Sequence, residues 1–187
     1  MKIFKNMDGK KDKRKITGAG FTLVETIVAI AILMLGMMGV TSLATTSIRS
    51  MSHIRNQFTA SFLAEEGLEY IRNKRDEAVL LYPSDVAFLD RLEDIGICVG
   101  QLNGCYIDVT NDDIVLCGSE GCPKIKFDQT SGFFGYTLGP DSQFTRTITV
   151  NTISDIEVEI ESEVTWPGYL GATDSVNIKS RLFDWLP

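Results

Sequence analysis

The first eighty residues change from basic to wholly apolar and then to amphipathic. Residues 21–48 form an apolar run of 28 residues in which Glu25 is the only charged side chain. A run of this length reaches across a ~30 Å hydrocarbon core with some tilt, so the pattern predicts a membrane-length helix. Gly36 and Gly39 lie inside it, either as ordinary glycine content of a membrane helix or as a point of local melting or close helix packing.

Beyond this run the helix is predicted to continue and to become amphipathic. Apolar residues recur at steps of three and four, with most charged residues outside that stripe. The stripe consists of Met51, Ile54, Phe58 and Phe62, followed by Ala64, Leu68 and Ile71. Because the first proline is Pro83, we expect one helix of about 55–60 residues from Phe21, roughly 80–90 Å long. The basic residues Arg72, Lys74 and Arg75 are expected at a solvated helix end, with a contact patch as the alternative.

Residues 80–187 are predicted to be rich in β-strands. Residues 144–150 and 156–166 alternate between apolar and polar side chains, so one face of each strand packs and the other meets water. A third strand is expected at residues 176–182. A meander of these three antiparallel strands over the carboxyl half of the helix would bury the apolar faces. The expected fold class is therefore α+β, with a long N-terminal helix packed on a C-terminal antiparallel β-sheet.

The first twenty residues differ in charge from the rest of the chain. They carry seven basic and two acidic residues, whereas the remainder carries 11 basic and 23 acidic residues. Basic residues that flank a membrane span stay on the cytoplasmic side. We therefore expect a single-pass membrane protein with its N-terminus inside and its acidic domain exported. Nucleic acid is not an expected partner, because an acidic domain repels phosphates.

A small residue, Gly20, separates the basic leader from the apolar run. In a secretory signal peptide the apolar core precedes the small-residue cleavage site. Here the order is reversed, so cleavage after Gly20 would leave the apolar helix on a mature chain that starts at Phe21. The new cationic amine of Phe21 would lie one helical turn from Glu25, whose carboxylate the helix dipole also favours. Taken alone, Glu25 is equally consistent with a tolerated polar residue near the end of an ordinary anchor.

The Lys-rich leader, the junction and the apolar helix together resemble the class III signal of type IV prepilins and type II secretion pseudopilins. The junction reads Gly20-Phe21-Thr22-Leu23-Val24-Glu25. The resemblance implies that a prepilin peptidase cleaves between Gly20 and Phe21 and N-methylates Phe21. It also implies that Glu25 pairs with the Phe21 amine of a neighbouring subunit. Residues 62–76, and less specifically the strands that end at residues 182–185, are similar to minor pilins and pseudopilins.

This resemblance implies a type IV pilin-like fold and a structural subunit of a type IV pilus or secretion-like filament. The expected partners are other pilin or pseudopilin subunits, the prepilin peptidase and the assembly platform of the inner membrane. The filament would lie at the cell surface or in the periplasm. The expected segments are a cleaved leader (1–20), a transmembrane and filament-core helix (21–48), its amphipathic continuation (49–80) and an exported head (81–187). Within the head we expect a variable region at about 95–143 and the β-meander at 144–187.

The alternative function is a membrane-anchored or filament-tip binding module for adhesion, DNA uptake or recognition of a secreted substrate. Loops and aromatic residues in 80–143 distinguish the two functions, because exposed aromatics favour binding and buried ones favour a structural role. These aromatics are Phe127, Phe133, Phe134 and Tyr136.

Four cysteines lie in the expected exported part: Cys98, Cys105, Cys117 and Cys122. An oxidising compartment favours disulfides, and four cysteines allow three connectivities. We favour Cys98–Cys105 and Cys117–Cys122, because each pair closes a short loop that contains glycine. A zinc site and free structural thiols are the alternatives, although the spacing on one side is too wide for a usual zinc site.

Side chains for catalysis are nearly absent from the sequence. His53 is the only histidine, which excludes a Ser–His–Asp triad and a site with several histidine ligands. The acidic run Asp108, Asn111, Asp112 and Asp113 lacks the ordered spacing of a calcium loop, so we expect a solvated turn. Four glutamates at 157, 159, 161 and 163 are expected on a solvent-facing strand. The sequence thus predicts neither an enzyme nor a bound metal or cofactor.

Overall fold

A computed structural model describes residues 20–81, 86–168 and 171–184, apart from the side chains of residues 89, 93 and 94. Most of the expected leader, together with Pro83 and Trp185, lies outside the described residues. The chain divides into two compact units, Met1–Ser47 and Ile48–Pro187.

The first element is a single helix, α1, which runs for 59 residues from Leu23 to Leu81. Its length and its start close to Phe21 confirm the long helix predicted from the apolar pattern and the absence of proline. Two one-turn helices follow, α2 (Phe88–Arg91) and α3 (Glu93–Gly96).

Seven strands form one antiparallel sheet in the second unit. They are β1 (Cys105–Asp108), β2 (Asp113–Leu116), β3 (Lys124–Phe127), β4 (Phe134–Gly135), β5 (Asp141–Ser154), β6 (Glu157–Pro167) and β7 (Thr173–Phe183). The long strand β5 lies at the centre. One edge of β5 pairs with β1 and β3, and its other edge pairs with β6. Strand β1 also pairs with β2, and β3 also pairs with β4. Strand β7 pairs with β6.

The three predicted strands of the meander are confirmed as β5, β6 and β7. Their register places Ile148 opposite Ser162 and Ser162 opposite Ile178. Every second residue of β6 from Val158 to Trp166 is buried, so these residues point towards the core, while the glutamates between them lie on the outer face. The arrangement of a long helix on an antiparallel sheet is α+β and matches a pilin-like fold.

The core lies between the sheet and the carboxyl half of α1, in two clusters. The larger cluster joins α1, α2 and α3 to the sheet through Leu68, Ile71, Phe88, Ile95, Ile107, Ile148, Val150, Val158, Ile160 and Leu182. The smaller cluster contains Ala60, Leu63, Ala64, Ile125, Phe144, Val164 and Trp166. Helix residues that contribute to these clusters begin at Ala60, and the helix before that point buries no residue in the chain.

A polar layer separates the two clusters. The side chain of Arg146, on β5, is only 3% exposed. Its Nη1 donates to the Leu63 carbonyl oxygen at 2.9 Å and to Glu66 Oε2 at 2.8 Å, and its Nη2 donates to the Ile107 carbonyl oxygen at 2.7 Å. One guanidinium group therefore links α1, β5 and β1.

Candidate functional site

The candidate assembly surface is the part of α1 before Ala60, in which no described residue is buried. Every residue from 20 to 55 is exposed. The segment 23–48 holds a dense series of large exposed apolar side chains, and α1 is long and apolar enough to cross a membrane. A helix that is apolar on all sides and unburied in its own chain requires an apolar environment outside that chain.

The start of α1 is defined by a local cap next to the predicted cleavage site. Thr22 Oγ1 accepts a hydrogen bond from the Glu25 backbone N at 3.3 Å, which satisfies one of the free N–H groups of the first turn. Gly20 and Phe21 precede the helix and are exposed. Glu25 lies in the first turn, where the helix dipole favours an anion. Its carboxylate is exposed, together with the apolar side chains around it.

Hydroxyl groups in the apolar segment are satisfied within the helix itself. Thr26 donates to the Leu23 carbonyl oxygen at 2.8 Å, and Thr41 donates to the Met37 carbonyl oxygen at 3.0 Å. Thr46 makes a similar bond to the carbonyl oxygen of Ser42 at 2.9 Å. Such bonds lower the cost of placing threonine in an apolar environment, where water cannot act as a partner.

The predicted amphipathic stripe is divided by the structure. Its later residues, Ala64, Leu68 and Ile71, are buried as expected, but Met51, Ile54, Phe58 and Phe62 are exposed. The expectation that the β-sheet would bury the whole stripe was wrong. The sheet covers α1 only from about Ala60, so these four side chains form an exposed apolar surface within the second unit.

The basic residues near the end of α1 are neither a solvated helix end nor a free contact patch. Arg72 Nη2 donates to Ser180 Oγ at 2.9 Å, and Arg75 Nη1 donates to the Phe183 carbonyl oxygen at 3.1 Å. Lys74 Nζ lies 2.8 Å from Asp112 Oδ2. The prediction of a solvated end was therefore wrong for Lys74 and Arg75, whereas Arg72 is exposed although it also contacts the head.

The acidic turn between β1 and β2 is docked on the helix. Asp112 accepts a hydrogen bond from Lys74 Nζ and a second one from the Tyr70 hydroxyl at 2.8 Å. Both bonds lower the pKa of the Asp112 carboxyl below its usual value of 3.8, and the bond from Lys74 has the larger effect. Asp108 is buried and accepts from Thr110 N. The prediction of a simple solvated turn was thus wrong for Asp108, whereas Asp112 is exposed although it contacts the helix, and Asn111 and Asp113 are exposed as expected.

Both disulfides have the predicted pairing, Cys98–Cys105 and Cys117–Cys122, which excludes the zinc and free-thiol alternatives. The first is fully buried in the larger core cluster. The second is partly exposed, and its loop is held against the first by a bond from Cys117 N to the Gly104 carbonyl oxygen at 3.1 Å.

The four head aromatics differ in exposure. Phe127 and Phe134 stack with ring centroids 4.8 Å apart, and Tyr136 lies 4.6 Å from the ring of Tyr106. All three are partly buried, and burial raises the pKa of the Tyr136 hydroxyl to about 12. Phe133, in contrast, is 74% exposed. Three of the four therefore have a structural role, and Phe133 alone satisfies the criterion for a binding residue.

The glutamates of β6 lie on the outer face, and three of them, Glu157, Glu159 and Glu161, are paired with side chains of β7. Glu161 accepts hydrogen bonds from Asn177 and Lys179, which lower the pKa of its carboxyl. Arg181 Nη1 lies 3.0 Å from Glu157 Oε1. Among the described residues, no group of three or more histidine, cysteine, aspartate or glutamate side chains is arranged to hold a metal ion.

Three charged residues with structural partners escaped the sequence reasoning. Arg146 makes the most contacts of the three. The alternating pattern of β5 could have indicated its burial, because Arg146 occupies an inward-facing position between Phe144 and Ile148. His53 Nδ1 lies 3.3 Å from Asp174 Oδ2, and Arg91 is buried in an ion pair with Asp184. No local sequence pattern predicts the His53–Asp174 and Arg91–Asp184 pairs, because the two members of each pair are far apart in the sequence.

Comparisons of the chain with models of known protein families, with curated proteins and with solved structures found no match.

Proposed function

We propose that this protein is a structural subunit, a minor pilin or pseudopilin, of a type IV pilus or type II secretion-like filament. One observation carries the proposal. An apolar helical segment with a single carboxylate, Glu25, follows a basic leader and a small residue, and it is exposed along its whole length. Cleavage between Gly20 and Phe21 by a prepilin peptidase would retain this segment on the mature protein, with Phe21 as its N-methylated first residue.

The exposed segment has to be covered by something outside the chain. Full burial of a large apolar side chain is worth about 1.5–3 kcal/mol, and α1 carries a long series of such side chains before Ala60. A bilayer covers the segment before assembly, and the helices of neighbouring subunits cover it in a filament. The basic leader would hold the N-terminus in the cytoplasm, and the acidic head would be exported.

Glu25 is the costly residue in this arrangement. A carboxylate at the bilayer centre costs about 2.5–3.5 kcal/mol by insertion scales, and less near the interface. Cleavage gives each subunit a cationic amine at Phe21. Pairing of that amine with Glu25 of a neighbouring subunit offsets the cost of burying both charges. The proposed role of Glu25 is therefore selection of the incoming subunit.

The first test is processing. We expect intact-mass analysis of the membrane fraction, from a host with active prepilin peptidase, to give a methylated chain that starts at Phe21. Gly20→Val should block cleavage. Ala19→Val is the control, because it introduces the same β-branched side chain one residue earlier, and it should still be cleaved. Recovery of only the full-length wild-type chain would refute the proposal.

The second test separates insertion from assembly. Glu25→Val should leave membrane insertion and cleavage intact, because it removes a charge from an apolar segment. We expect it to be depleted in sheared filaments relative to the membrane pool. Thr26→Val is the matched control, since it also replaces a polar residue by valine in the first turns of α1. Equal incorporation of Glu25→Val and Thr26→Val would show that Glu25 is only a tolerated polar residue.

A second candidate function is a binding module that the same anchor presents at the surface or at the filament tip. The exposure of Phe133 favours it, because a large aromatic side chain held in solvent is typical of a contact residue. The structural subunit remains the better supported function, since the other three head aromatics pack within the head.

A further inference from the structure

A shallow cleft of about 230 Å³ lies at the end of the sheet where the turn between β3 and β4 faces the segment that leads into β5. Its apolar walls are Phe133 and Leu138, which are 74% and 65% exposed. Polar groups line the rest, with a carboxylate from Asp128 and hydroxyls from Thr110 and Thr137. The accessible lining of the cleft is therefore mostly apolar, with a few oxygen atoms between its two walls.

The turn that carries Phe133 is fixed by its own hydrogen bonds. Asp128 accepts from Thr130 N at 2.9 Å and from Ser131 Oγ at 2.7 Å. Two backbone hydrogen bonds close the turn. Gly132 N donates to the Asp128 carbonyl oxygen at 2.8 Å, and Asp128 N donates to the Phe133 carbonyl oxygen at 3.0 Å. Phe133 is thus held in solvent by an ordered turn, which lowers the entropic cost of using it as a contact.

The opposite wall is fixed by a close backbone approach. Gly139 has φ +89°, and a Cβ atom there would lie 2.3 Å from the Phe127 carbonyl oxygen, so only glycine fits. The next residue, Pro140, accepts a hydrogen bond from Phe127 N at 3.0 Å. These contacts position Leu138, so both walls of the cleft are set before any ligand arrives.

The lining selects the chemical class of ligand. No lysine or arginine lines the cleft within the described part of the chain, and the Asp128 carboxylate would repel an anion. Hydroxyls both donate and accept hydrogen bonds, whereas a carboxylate accepts them from donors such as the hydroxyls of a ligand. An aromatic face attracts the positive edge of a C–H group. The best match is a neutral ligand with many hydroxyls and one apolar face.

We propose that this cleft binds a neutral sugar ring, with its apolar face on Phe133 and its hydroxyls towards Asp128, Thr110 and Thr137. A cationic peptide is less favoured because an exposed ion pair adds little to affinity. The proposed sugar site does not depend on filament assembly, so it can fail or succeed independently of it.

The test uses the full-length chain in lipid nanodiscs without glycolipid, because maltoside detergents would themselves compete for a sugar site. Labelled nanodiscs are applied to an array of neutral hexose and N-acetylhexosamine oligosaccharides, and hits are measured by saturation-transfer difference NMR. We expect Phe133→Ala to weaken binding about tenfold, the upper end of what an aromatic face contributes. Phe133→Tyr should bind like the wild type, because it keeps the ring.

Leu102→Ala is the matched control, since Leu102 is a fully exposed apolar side chain on another loop of the head. It should bind the oligosaccharides like the wild type. Retention of none of the oligosaccharides would overturn the proposal, as would equal binding by Phe133→Ala and the wild type. Binding of oligolysine but not of saccharides would assign the cleft to a cationic peptide instead and would overturn it too.

Discussion

Removing either partner of the ion pair between Arg146 and Glu66 is predicted to lower the stability of the fold by a different amount. The larger loss is expected when Glu66, the more exposed partner, is removed. The Arg146 side chain is 3% exposed, whereas that of Glu66 is 42% exposed. Glu66→Ala leaves the guanidinium in the core with the carbonyl oxygens of Leu63 and Ile107 as its remaining acceptors. Arg146→Met leaves no buried charge: the remaining carboxylate is reached by water, and two backbone carbonyl oxygens lose a donor.

The magnitudes follow from this asymmetry. Breaking a buried ion pair from one side costs about 3–5 kcal/mol when the remaining charge is uncompensated. Arg146 keeps two carbonyl acceptors, so we expect a smaller loss of about 2–3 kcal/mol for Glu66→Ala. Arg146→Met removes a donor from two carbonyls, at about 1–3 kcal/mol for a buried group left unsatisfied. It also removes a desolvated cation whose Nε has no hydrogen-bond partner, so we expect a net loss of about 1 kcal/mol.

The assay is urea unfolding of the full-length protein in detergent, followed by tryptophan fluorescence. Trp166 lies in the smaller core cluster, so its fluorescence reports the unfolding of that cluster. Glu65→Ala is the control, since it makes the same residue change at an exposed neighbouring position of α1. The double variant Glu66→Ala/Arg146→Met should resemble Arg146→Met alone, because no cation is then left in the core.

Two outcomes would refute this reasoning. One is a larger loss of stability for Arg146→Met than for Glu66→Ala. The other is an equal effect of Glu65→Ala and Glu66→Ala, which would mean that only helix propensity had changed. Either result would show that water solvates the guanidinium and that the layer between the two core clusters is not dry.

Two further changes test the same contact between helix and sheet. Ser162→Ala should raise the free energy of unfolding by about 1 kcal/mol, since the buried Ser162 hydroxyl has no hydrogen-bond partner; a loss of stability in urea would contradict this. Asp112 has its pKa lowered by Lys74 and Tyr70, so its contribution is complete above the unfolded pKa and is lost as the pH falls through the folded pKa. Urea midpoints of Asp112→Asn should therefore depend less on pH than those of the wild type between about pH 4 and pH 2, and equal slopes would contradict it.

Much of this fold follows from periodicity in the sequence. An apolar run followed by steps of three and four predicted α1, and alternation predicted β6 almost to its ends and the middle half of β5. The short loops between cysteines predicted the disulfide pairing. These features share one property, since each is set by residues close together in the chain.

Contacts between distant residues were not available from the same reasoning. Periodicity marks Phe58 and Ile71 as equally apolar, yet only Ile71 lies under the sheet. The cation Lys74 looks solvated until the β1–β2 turn brings Asp112 to it. The walls of the proposed sugar cleft, Phe133 and Leu138, come together only because the turn before β4 and the segment after it both fold back on β3.

Small residues mark where the sheet approaches the backbone of α1 closely. Among the inward positions where α1 first meets the sheet are Ala60, Ala64 and Gly67. A Cβ atom on Gly67 would already lie 3.0 Å from Ile148 Cδ1 and 3.1 Å from Ser162 Oγ. A phenylalanine at such a position would force the two elements apart. Larger side chains of the helix, Leu63, Leu68 and Ile71, are also buried, so it is the close approach, and not burial as such, that depends on the small residues.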